Sequence, residues 1–332
     1  MLKQLPNLLL PWYREHKRDL PWRRDAEPYH IWLSEIMLQQ TRVEAVKGYY
    51  ARFLQKLPTV EALAEADENE LLKLWEGLGY YTRVRNLQKA AKQIVEMGEF
   101  PTEHKKVLEL KGVGAYTAGA ICSICFGMPT PAVDGNVLRV LSRLLAQNVD
   151  AKQANALLVP MYPEGSCGEF TQALMELGAT VCIPNGAPLC ESCPLYAHCE
   201  ARKQNLQSQF PVKSKKKPRR VEHRTVFVLT CGEKLAVCKR PNSGLLAGLW
   251  QLPDVSGELT AEQAIAKAEA WGVHPIAIEK TVQRQHIFTH VQWELTGVYL
   301  RCAEETRFTW VTEAEREAKI GLPTAYRQFL DI

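Results

Sequence analysis

The chain has 332 residues, which is more than one hydrophobic core usually serves, so we expect two domains. Its composition, 46% hydrophobic and 23% charged, is that of an ordinary globular protein, and the net charge of +4 permits a polyanionic partner without requiring one. Apolar runs are too short to span a membrane, and the run that ends at Leu10 is too short for a signal peptide. We therefore expect a cytoplasmic protein whose ten cysteines are reduced thiols or metal ligands.

Helical periodicity recurs through the first two-thirds of the chain. It covers Leu2 to about Arg18, Tyr29 to Phe53, pieces punctuated by Pro58 and by Gly77-Leu78-Gly79 up to about Gly98, Ala115 to Phe126, Leu138 to Leu145, and Phe170 to Leu177. Nothing before residue 200 alternates convincingly as a strand. Residues 1–209 are therefore predicted to form an all-α domain.

The composition changes at Phe210. Residues 213–220 carry six basic side chains in eight, so residues 210–224 are interpreted as an exposed basic linker. Beyond the linker the pattern alternates with period two: a hairpin is predicted over 226–238, further strands over 292–301 and 308–311, and one helix over 261–271. Residues 225–332 are thus predicted to form a separate, small α+β domain.

A glycine turn, Lys111 to Gly114, directly precedes the predicted helix that starts at Ala115. Two close glycines before a helix allow backbone N–H groups to approach an anion, and the helix dipole favours negative charge there. A proline-rich break then delivers a lone carboxylate, Asp134, just before Gly135 and Asn136. The pattern suits an enzyme that holds a nucleic-acid backbone and acts on a sugar. Taken alone, an ordinary helical corner with a surface Asp explains it as well.

Glu35 is a single carboxylate surrounded by large apolar side chains between Ile31 and Leu38. A carboxyl group removed from water has its pKa raised, so it can be protonated and able to donate near neutral pH. The alternative is that Glu35 points into solvent from one side of the helix. Together with Asp134 it would form the pair that N-glycoside cleavage needs: a neutral acid beside the base and an anion beside the sugar.

Four cysteines lie within eighteen residues with the spacing C-x7-C-x2-C-x5-C: Cys182, Cys190, Cys193 and Cys199. Four thiolates can hold either a tetrahedral zinc ion or a [4Fe–4S] cluster. Only one tight pair is present, which favours the cluster. Cys122 and Cys125 are interpreted as core residues of an apolar helix. The remaining cysteines have no partner at metal-ligand spacing: Cys167, Cys231, Cys238 and Cys302.

Residues 110–118 and 133–137 together resemble the helix-hairpin-helix DNA glycosylases of the endonuclease-III superfamily, most closely the MutY-type adenine DNA glycosylases, and the likeness covers nearly the whole chain. In that family the catalytic acid lies in the stretch that residues 34–41 match. The resemblance implies that Glu35 protonates the base at N7 and activates water. It also implies that Asp134 stabilises the developing positive charge, while Asn136 and Tyr116 hold the site by hydrogen bonds.

The residue at position 116 distinguishes monofunctional glycosylases from bifunctional glycosylase/lyases. Bifunctional relatives carry a lysine two residues after the second glycine of the hairpin, and that lysine forms a Schiff base and cuts the strand. This chain has tyrosine there, so the resemblance implies a monofunctional enzyme. A bifunctional pyrimidine-damage glycosylase/AP lyase is the alternative.

An enzyme that acts on a base must extrude it from the stack, and polar and aromatic side chains fill the gap. The resemblance implies that Gln40 and Tyr80 intercalate, with Thr41 beside them, and it places Gln172 in the adenine pocket. Gly112 and Gly114 would bind the DNA backbone. Four basic residues after the second glycine turn are either phosphate contacts or plain surface charges: Arg83, Arg85, Lys89 and Lys92.

The family's cysteine spacing is C-x6-C-x2-C-x5-C, so this chain has one extra residue in the first loop, and the resemblance implies one [4Fe–4S] cluster.

Residues 244–253 resemble the Nudix fold of MutT, but residues 264–270 offer one carboxylate where a Mg²⁺ box needs several. This domain is therefore expected to recognise a base and not to hydrolyse a nucleotide. Where the family senses 8-oxoguanine with Phe-Ser-His, this chain has Phe288, Thr289 and His290.

The sequence thus predicts a monofunctional adenine DNA glycosylase of base excision repair. Its expected partner is double-stranded DNA with adenine opposite 8-oxoguanine or, more weakly, guanine, and it is expected to act as a cytoplasmic, nucleoid-associated monomer. A nucleotide pyrophosphohydrolase and a non-catalytic DNA-binding protein are the rivals from other classes.

Overall fold

The computed structural model describes residues 2–212 and 218–330, so part of the basic linker, 213–217, lies outside the described residues. By packing, the chain divides into unit 1, Met1–Glu65 with Thr82–Lys215, and unit 2, Ala66–Tyr81 with Lys216–Ile332. Residues 66–81 were expected inside the first domain, yet they pack with unit 2. The predicted domain boundary at residue 209 therefore does not account for the packing of residues 66–81 with unit 2.

Residues 2–212 are helical and contain no strand, as the sequence predicts. The α-helices are α1 (Leu5–His16), α2 (Pro28–Leu38), α3 (Val43–Lys56), α4 (Val60–Glu65), α5 (Glu68–Leu74), α6 (Thr82–Met97), α7 (His104–Glu109), α8 (Ala115–Phe126), α9 (Gly135–Leu145), α10 (Ala151–Leu158), α11 (Cys167–Thr180) and α12 (Glu200–Lys203). Of these, α5 belongs to unit 2. Among the described residues, no helix combines the length and the hydropathy that crossing a membrane requires.

One predicted element was wrong: the continuous helix expected from Tyr29 to Phe53 is two helices, α2 and α3. Gln40 adopts a left-handed conformation with φ of 59°, which a continuing helix does not allow. The Arg83 guanidinium also donates Nη1 hydrogen bonds to three backbone carbonyls near the end of α2, those of Ile36 (2.8 Å), Met37 (3.1 Å) and Gln39 (2.7 Å). These bonds occupy acceptors at a helix end and stabilise the break.

Close backbone approaches hold the helices around the functional site. A β-carbon at Gly178 of α11 would lie 2.5 Å from Cβ of Asn136 at the start of α9. A β-carbon at Gly119 of α8 would lie 2.2 Å from the carbonyl oxygen of Pro131. Glycine at these two positions therefore lets α11 approach the start of α9 and lets α8 approach the segment that precedes α9. Below this contact, side chains of α1, α9 and α11 form one apolar core that includes Leu9, Leu141 and Phe170, among others.

Unit 2 is built on a mixed sheet with the strand order β3-β2-β1-β6-β5, in which β4 also pairs with β1 and β7 with β2. The strands are β1 (Arg220–Cys231), β2 (Lys234–Lys239), β3 (Trp250–Gln251), β4 (Asp254–Ser256), β5 (Pro275–Ile287), β6 (Val291–Cys302) and β7 (Thr309–Thr312). Strands β1 and β6 are parallel, from the pair Arg220 and Val291 to the pair Thr230 and Arg301. The helices are α13 (Ala261–Ala270), α14 (Glu313–Lys319) and α15 (Thr324–Arg327).

Strand β1 is central because both of its faces are buried. Val226 and Val228 pack in a cluster with Tyr326 of α15, whereas Phe227 packs in a second cluster with Ala264 of α13. The sheet is therefore covered on both faces, which explains why β1 reads as a continuous apolar run. Strand β5 and helices α14 and α15 were not predicted from the sequence.

The inserted segment 66–81 is attached to unit 2 through polar contacts. The backbone N–H of Leu322 donates to Glu76 Oε1 (2.8 Å), and Lys73 Nζ donates to the carbonyl of Ile320 (3.2 Å). Helix α5 itself begins at an Asp67 cap, whose carboxylate accepts from the N–H groups of Asn69 and Glu70. The loop after α5 therefore starts from a fixed helix of unit 2.

Candidate active site

Unit 1 contains a cavity of about 790 Å³ between α2, α8, α9 and α11. Most residues singled out in the first domain line it: Glu35, Gln40, Thr41, Gly112, Gly114, Tyr116, Asp134, Asn136 and Gln172. They come from four separate stretches of sequence. The cavity thus brings together the residues predicted for catalysis and most of those predicted for base binding, whereas Tyr80 and the loop of residues 288–290 do not line it.

Glu35 lies on α2 and is only 6% exposed. Burial raises the pKa of this carboxyl group to about 7, and the negative charge of Asp134 acts in the same direction. The Tyr116 hydroxyl donates a hydrogen bond to Glu35 Oε2, which favours the carboxylate and partly offsets the rise in pKa. Glu35 is therefore not the solvent-facing residue that the sequence left open, and near pH 7 it is present in both protonation states.

Asp134 caps the N-terminus of α9. Its Oδ1 accepts from the backbone N–H of Val137 (2.8 Å) and its Oδ2 from Asn136 Nδ2 (2.6 Å). Burial raises the pKa of Asp134, while these two hydrogen bonds and the positive charge of Arg139 lower it. The helix dipole also favours a negative charge at this end. The surroundings of Asp134 thus supply several groups that stabilise the carboxylate, in contrast to the single donor beside Glu35.

Arg139 was not identified from the sequence, although it lies three residues after Asn136 and so on the same face of α9. It is 7% exposed and donates to Asn136 Oδ1 (2.8 Å), to the carbonyl of Gly178 (2.7 Å) and to the carbonyl of Cys182 (2.7 Å). A single side chain therefore joins the start of α9, the end of α11 and the first cysteine of the predicted cluster loop.

The wall opposite α2 is formed by α11. Gln172 Oε1 accepts a hydrogen bond from the Tyr13 hydroxyl (2.7 Å). One turn further, the fully buried Glu176 accepts from Arg18 Nε (2.7 Å) and Arg23 Nη2 (2.7 Å). Burial alone would raise the pKa of Glu176, but the two arginines outweigh it and hold the pKa at about 2. No local sequence pattern indicated the role of Tyr13, this ion triad or their contact with α11.

The loop of residues 39–41 lies at the rim of the cavity. Gln40 is exposed, and Arg83 fixes the backbone before it through the three carbonyls at the end of α2. Arg83 was expected to be either a phosphate contact or a plain surface charge. Its guanidinium instead stabilises the break that presents Gln40.

Tyr80 belongs to unit 2 and not to the cavity. It is 45% exposed, its φ is 47°, and it follows two glycines with positive φ, Gly77 and Gly79. Its hydroxyl shares a hydrogen bond with the hydroxyl of Thr289. Tyr81, by contrast, is buried.

The loop that carries Thr289 is anchored by Phe288. The Phe288 ring packs edge-on against Trp293, with 4.9 Å between ring centroids, and against His286 at 4.6 Å. Thr289 and His290 are exposed. Within unit 2, the residues predicted to sense 8-oxoguanine therefore lie beside Tyr80, one of the two predicted intercalating residues.

The four predicted cluster cysteines line one small cavity of unit 1 together with Arg143, Tyr196 and Arg202. Each sulfur has a polar hydrogen nearby. Arg143 Nη1 donates to Cys182 Sγ (3.4 Å) and Gln207 Nε2 to Cys190 Sγ (3.9 Å), while backbone N–H groups serve Cys193 and Cys199. In the part of the chain that the structure describes, no group of three or more His, Cys, Asp or Glu side chains is arranged so that it could hold a metal ion.

Both parts of the chain match known protein families. Residues 33–161 match the model of the HhH-GPD superfamily base excision DNA repair proteins, and residues 225–331 match the NUDIX domain. The adenine DNA glycosylase of Homo sapiens is 36% identical over 382 residues, covering 92% of this chain and 70% of the relative. That of Schizosaccharomyces pombe is 32% identical over 416 residues, covering 98% of this chain and 89% of the relative.

Solved structures show the same fold for unit 1. A thermostable thymine-DNA glycosylase is 29% identical with a TM-score of 0.58, over 61% of this chain and 97% of that one. A trapped endonuclease III–DNA covalent intermediate is 23% identical with a TM-score of 0.54, over 62% of this chain and 99% of that one. The predicted fold class, a helix-hairpin-helix domain followed by a Nudix-like domain, is confirmed.

Proposed function

The chain belongs to the adenine DNA glycosylase family of the HhH-GPD superfamily, and we propose that it removes adenine opposite 8-oxoguanine or guanine by hydrolysing the N-glycosidic bond. One observation carries the proposal: the same cavity holds a buried carboxyl group with a pKa of about 7, Glu35, and a carboxylate stabilised at a helix N-terminus, Asp134. Two carboxyl groups in unlike environments are what departure of a neutral base from a cationic sugar requires.

In the proposed reaction, protonated Glu35 gives its proton to N7 of the adenine, so that the base leaves as a neutral molecule. The sugar acquires oxocarbenium character, and the carboxylate of Asp134 stabilises that positive charge. Water then adds to the sugar carbon and returns a proton to Glu35. Asn136 and Val137 hold the Asp134 oxygens in place, so little reorganisation accompanies the appearance of charge.

The enzyme is proposed to be monofunctional. No lysine is present among the cavity-lining residues, all of which lie in the described part of the chain. At the position of the lyase lysine stands Tyr116, whose pKa burial raises well above its ordinary value, so the phenol stays protonated and donates to Glu35. A lyase reaction needs a nucleophilic amine, and the arrangement around Tyr116 offers none.

Recognition of the base opposite adenine is proposed for unit 2, through Thr289 and its neighbours, with Gln40 and Tyr80 filling the space that the flipped adenine leaves. The support is that Phe288 anchors the loop by ring packing and that Thr289 contacts Tyr80 directly. On this proposal the acidic residues of α13 have no metal role, in keeping with the one carboxylate in residues 264–270. A monomeric state and a cytoplasmic, nucleoid-associated location remain predictions.

A [4Fe–4S] cluster is proposed for the four cysteines that share one cavity, because their sulfurs are supplied with N–H donors of the kind that stabilise thiolates and cluster sulfides. The cluster would cross-link the loop of residues 182–199 and supply no step in base removal. Arg139 connects the carbonyl of Cys182 to Asn136. Cross-linking this loop would therefore support the helix end that positions Asp134.

The proposal is tested with a labelled duplex containing one adenine opposite 8-oxoguanine, incubated with the purified protein and divided into a portion treated with hot alkali and an untreated one. Strand cleavage only after alkali, lost in both Glu35→Gln and Asp134→Asn, is the expected result. Cleavage without alkali would support the glycosylase/lyase. Duplex binding without cleavage in either portion would support the non-catalytic DNA-binding protein.

A further inference from the structure

Tyr13 is not among the residues that would contact the reacting atoms, but its hydroxyl donates a hydrogen bond to Gln172, which lines the cavity. We propose that Tyr13 makes the cavity selective for adenine over 6-oxopurines by fixing the orientation of the Gln172 side-chain amide. The inference rests on the proposed function, because it concerns which purine that reaction accepts. Tyr13 is on this view a positioning residue that determines specificity through Gln172.

The direction of the hydrogen bond follows from the surroundings of Tyr13. The residue is 2% exposed, and in the described part of the chain its hydroxyl donates to one acceptor, Gln172 Oε1 at 2.7 Å. Burial raises the pKa of Tyr13 to about 12, so the hydroxyl keeps its proton. A reversed amide would place the NH₂ group against this hydroxyl and leave a buried donor without an acceptor, which is costly. The hydrogen-bond network therefore assigns the oxygen of Gln172 to the Tyr13 side.

A glutamine amide that can rotate freely binds adenine and the 6-oxopurines without preference. Adenine presents a donor at N6 beside an acceptor at N1, whereas hypoxanthine and guanine present an acceptor at O6 beside a donor at N1. An amide offers its oxygen and its NH₂ side by side, so turning it by 180° converts a partner for one pattern into a partner for the other. Gln172 alone can thus satisfy both kinds of base, and discrimination requires that the amide cannot turn.

The geometry allows Gln172 to bind Tyr13 and adenine together. Oε1 has two lone pairs, one used by Tyr13 and one available to the N6 amino group, while Nε2 remains a donor for N1. Gln172 and Glu35 both line the cavity, on α11 and α2. In a purine, N7 and N1 lie on opposite sides of the 6-substituent. If Glu35 serves N7, the wall that carries Gln172 is suited to the N1 and N6 edge.

The test compares removal of adenine and of hypoxanthine by Tyr13→Phe, from duplexes that differ only in that base and carry 8-oxoguanine opposite it. Single-turnover rates are measured, so that product release does not hide the base-removal step. The ratio of the adenine rate to the hypoxanthine rate is expected to fall about tenfold, since the amide can now turn toward either pattern. A destabilised protein would lose both rates together and leave the ratio unchanged.

Two further variants complete the test. Tyr162→Phe removes a partly buried tyrosine hydroxyl that contacts Thr171, the residue before Gln172 on α11, at 2.8 Å, and its rate ratio should remain that of the wild type. Gln172→Leu removes the amide itself, so the ratio should fall, and adding Tyr13→Phe should lower it no further.

The inference is overturned if Tyr13→Phe keeps the wild-type ratio, if Tyr162→Phe lowers it equally, or if the Tyr13 and Gln172 effects multiply in the double variant. A wild-type enzyme that removes neither base would refute the proposed function instead, and this inference with it. A wild-type enzyme that removes adenine while all variants keep its selectivity would refute this inference alone.

Discussion

The buried carboxyl group of Glu35 leads to a defined pH dependence of base removal. Burial raises its pKa to about 7, and in the proposed reaction the protonated form donates to the base. The rate should therefore be highest below pH 7, fall to about half at pH 7 and to about a tenth at pH 8, with a slope of about tenfold per pH unit beyond. Single-turnover rates, measured by alkaline cleavage of the labelled duplex, give this profile directly.

Removing the Tyr116 hydroxyl should move that profile to higher pH. The hydroxyl donates to Glu35 and stabilises the carboxylate, so Tyr116→Phe should raise the pKa of Glu35 and shift the midpoint upward by about one pH unit. Tyr29→Phe is the matched control. Tyr29 also lies on α2, is buried, and donates to the carbonyl of Leu57 (2.8 Å), away from Glu35. An unchanged or lower midpoint in Tyr116→Phe would refute the assignment of Glu35 as the acid.

Three further variants test the supports of the site. Glu176→Gln should lower the free energy of unfolding by about 3 kcal/mol near pH 7, as the depressed pKa of about 2 implies. The stabilisation by the Glu176 carboxylate is complete above about pH 4.5 and is lost as the pH falls towards 2. Urea titrations at several pH values would show this loss. Gly178→Ala should cost about 1–3 kcal/mol in the same assay because its β-carbon meets a neighbouring helix, whereas Gly135→Ala, with nothing within 4 Å, should cost less; equal losses would contradict the packing argument. Cys190→Ser should lower the iron content and visible absorbance of the purified protein, and Cys231→Ser should not; retained iron in Cys190→Ser would exclude it as a ligand.

The sequence predicted best those features that depend on neighbouring residues. Helix α8 begins at Ala115 and ends at Phe126, as predicted, because the glycine turn before it and Gly127 after it, with φ of 65°, are local signals. The position of Asp134 before a helix start follows from the same kind of signal. The burial of Glu35 followed from the apolar residues on every side of its helix.

Local sequence signals could not predict which side chains from distant parts of the chain form pairs. Tyr13 and Gln172 are 159 positions apart, and Arg18 and Glu176 are 158 apart. Each pair forms only because α1 packs on α11, and neither partner has an unusual local pattern. Gln172 could be placed by family resemblance, but the residue that orients its amide could not.

The edge strand β5 and the segment 66–81 were missed or misplaced for a different reason. Strand β5 is an edge strand with side chains exposed on both faces over residues 278–281, so the alternation that marks a half-buried strand is absent there. Segment 66–81 is helical like its neighbours in sequence, and only its contacts with residues near Leu322 reveal that it packs in unit 2. Periodicity reports secondary structure, and it carries no information about which core an element joins.

The different roles proposed for Glu35 and Asp134 would follow from how many N–H or O–H groups each carboxyl group receives. Burial raises the pKa of both, so burial alone would not distinguish them. Glu35 sits within α2, where the backbone N–H groups are already used by the helix, and it receives one hydroxyl. Asp134 precedes α9, where unused N–H groups and the helix dipole meet it, and Asn136 adds a further donor. In the proposed reaction the proton therefore starts on Glu35, and the negative charge of Asp134 raises the pKa of Glu35 further. Under this proposal, two chemically similar side chains act as acid and anion because one lies inside a helix and the other at a helix start.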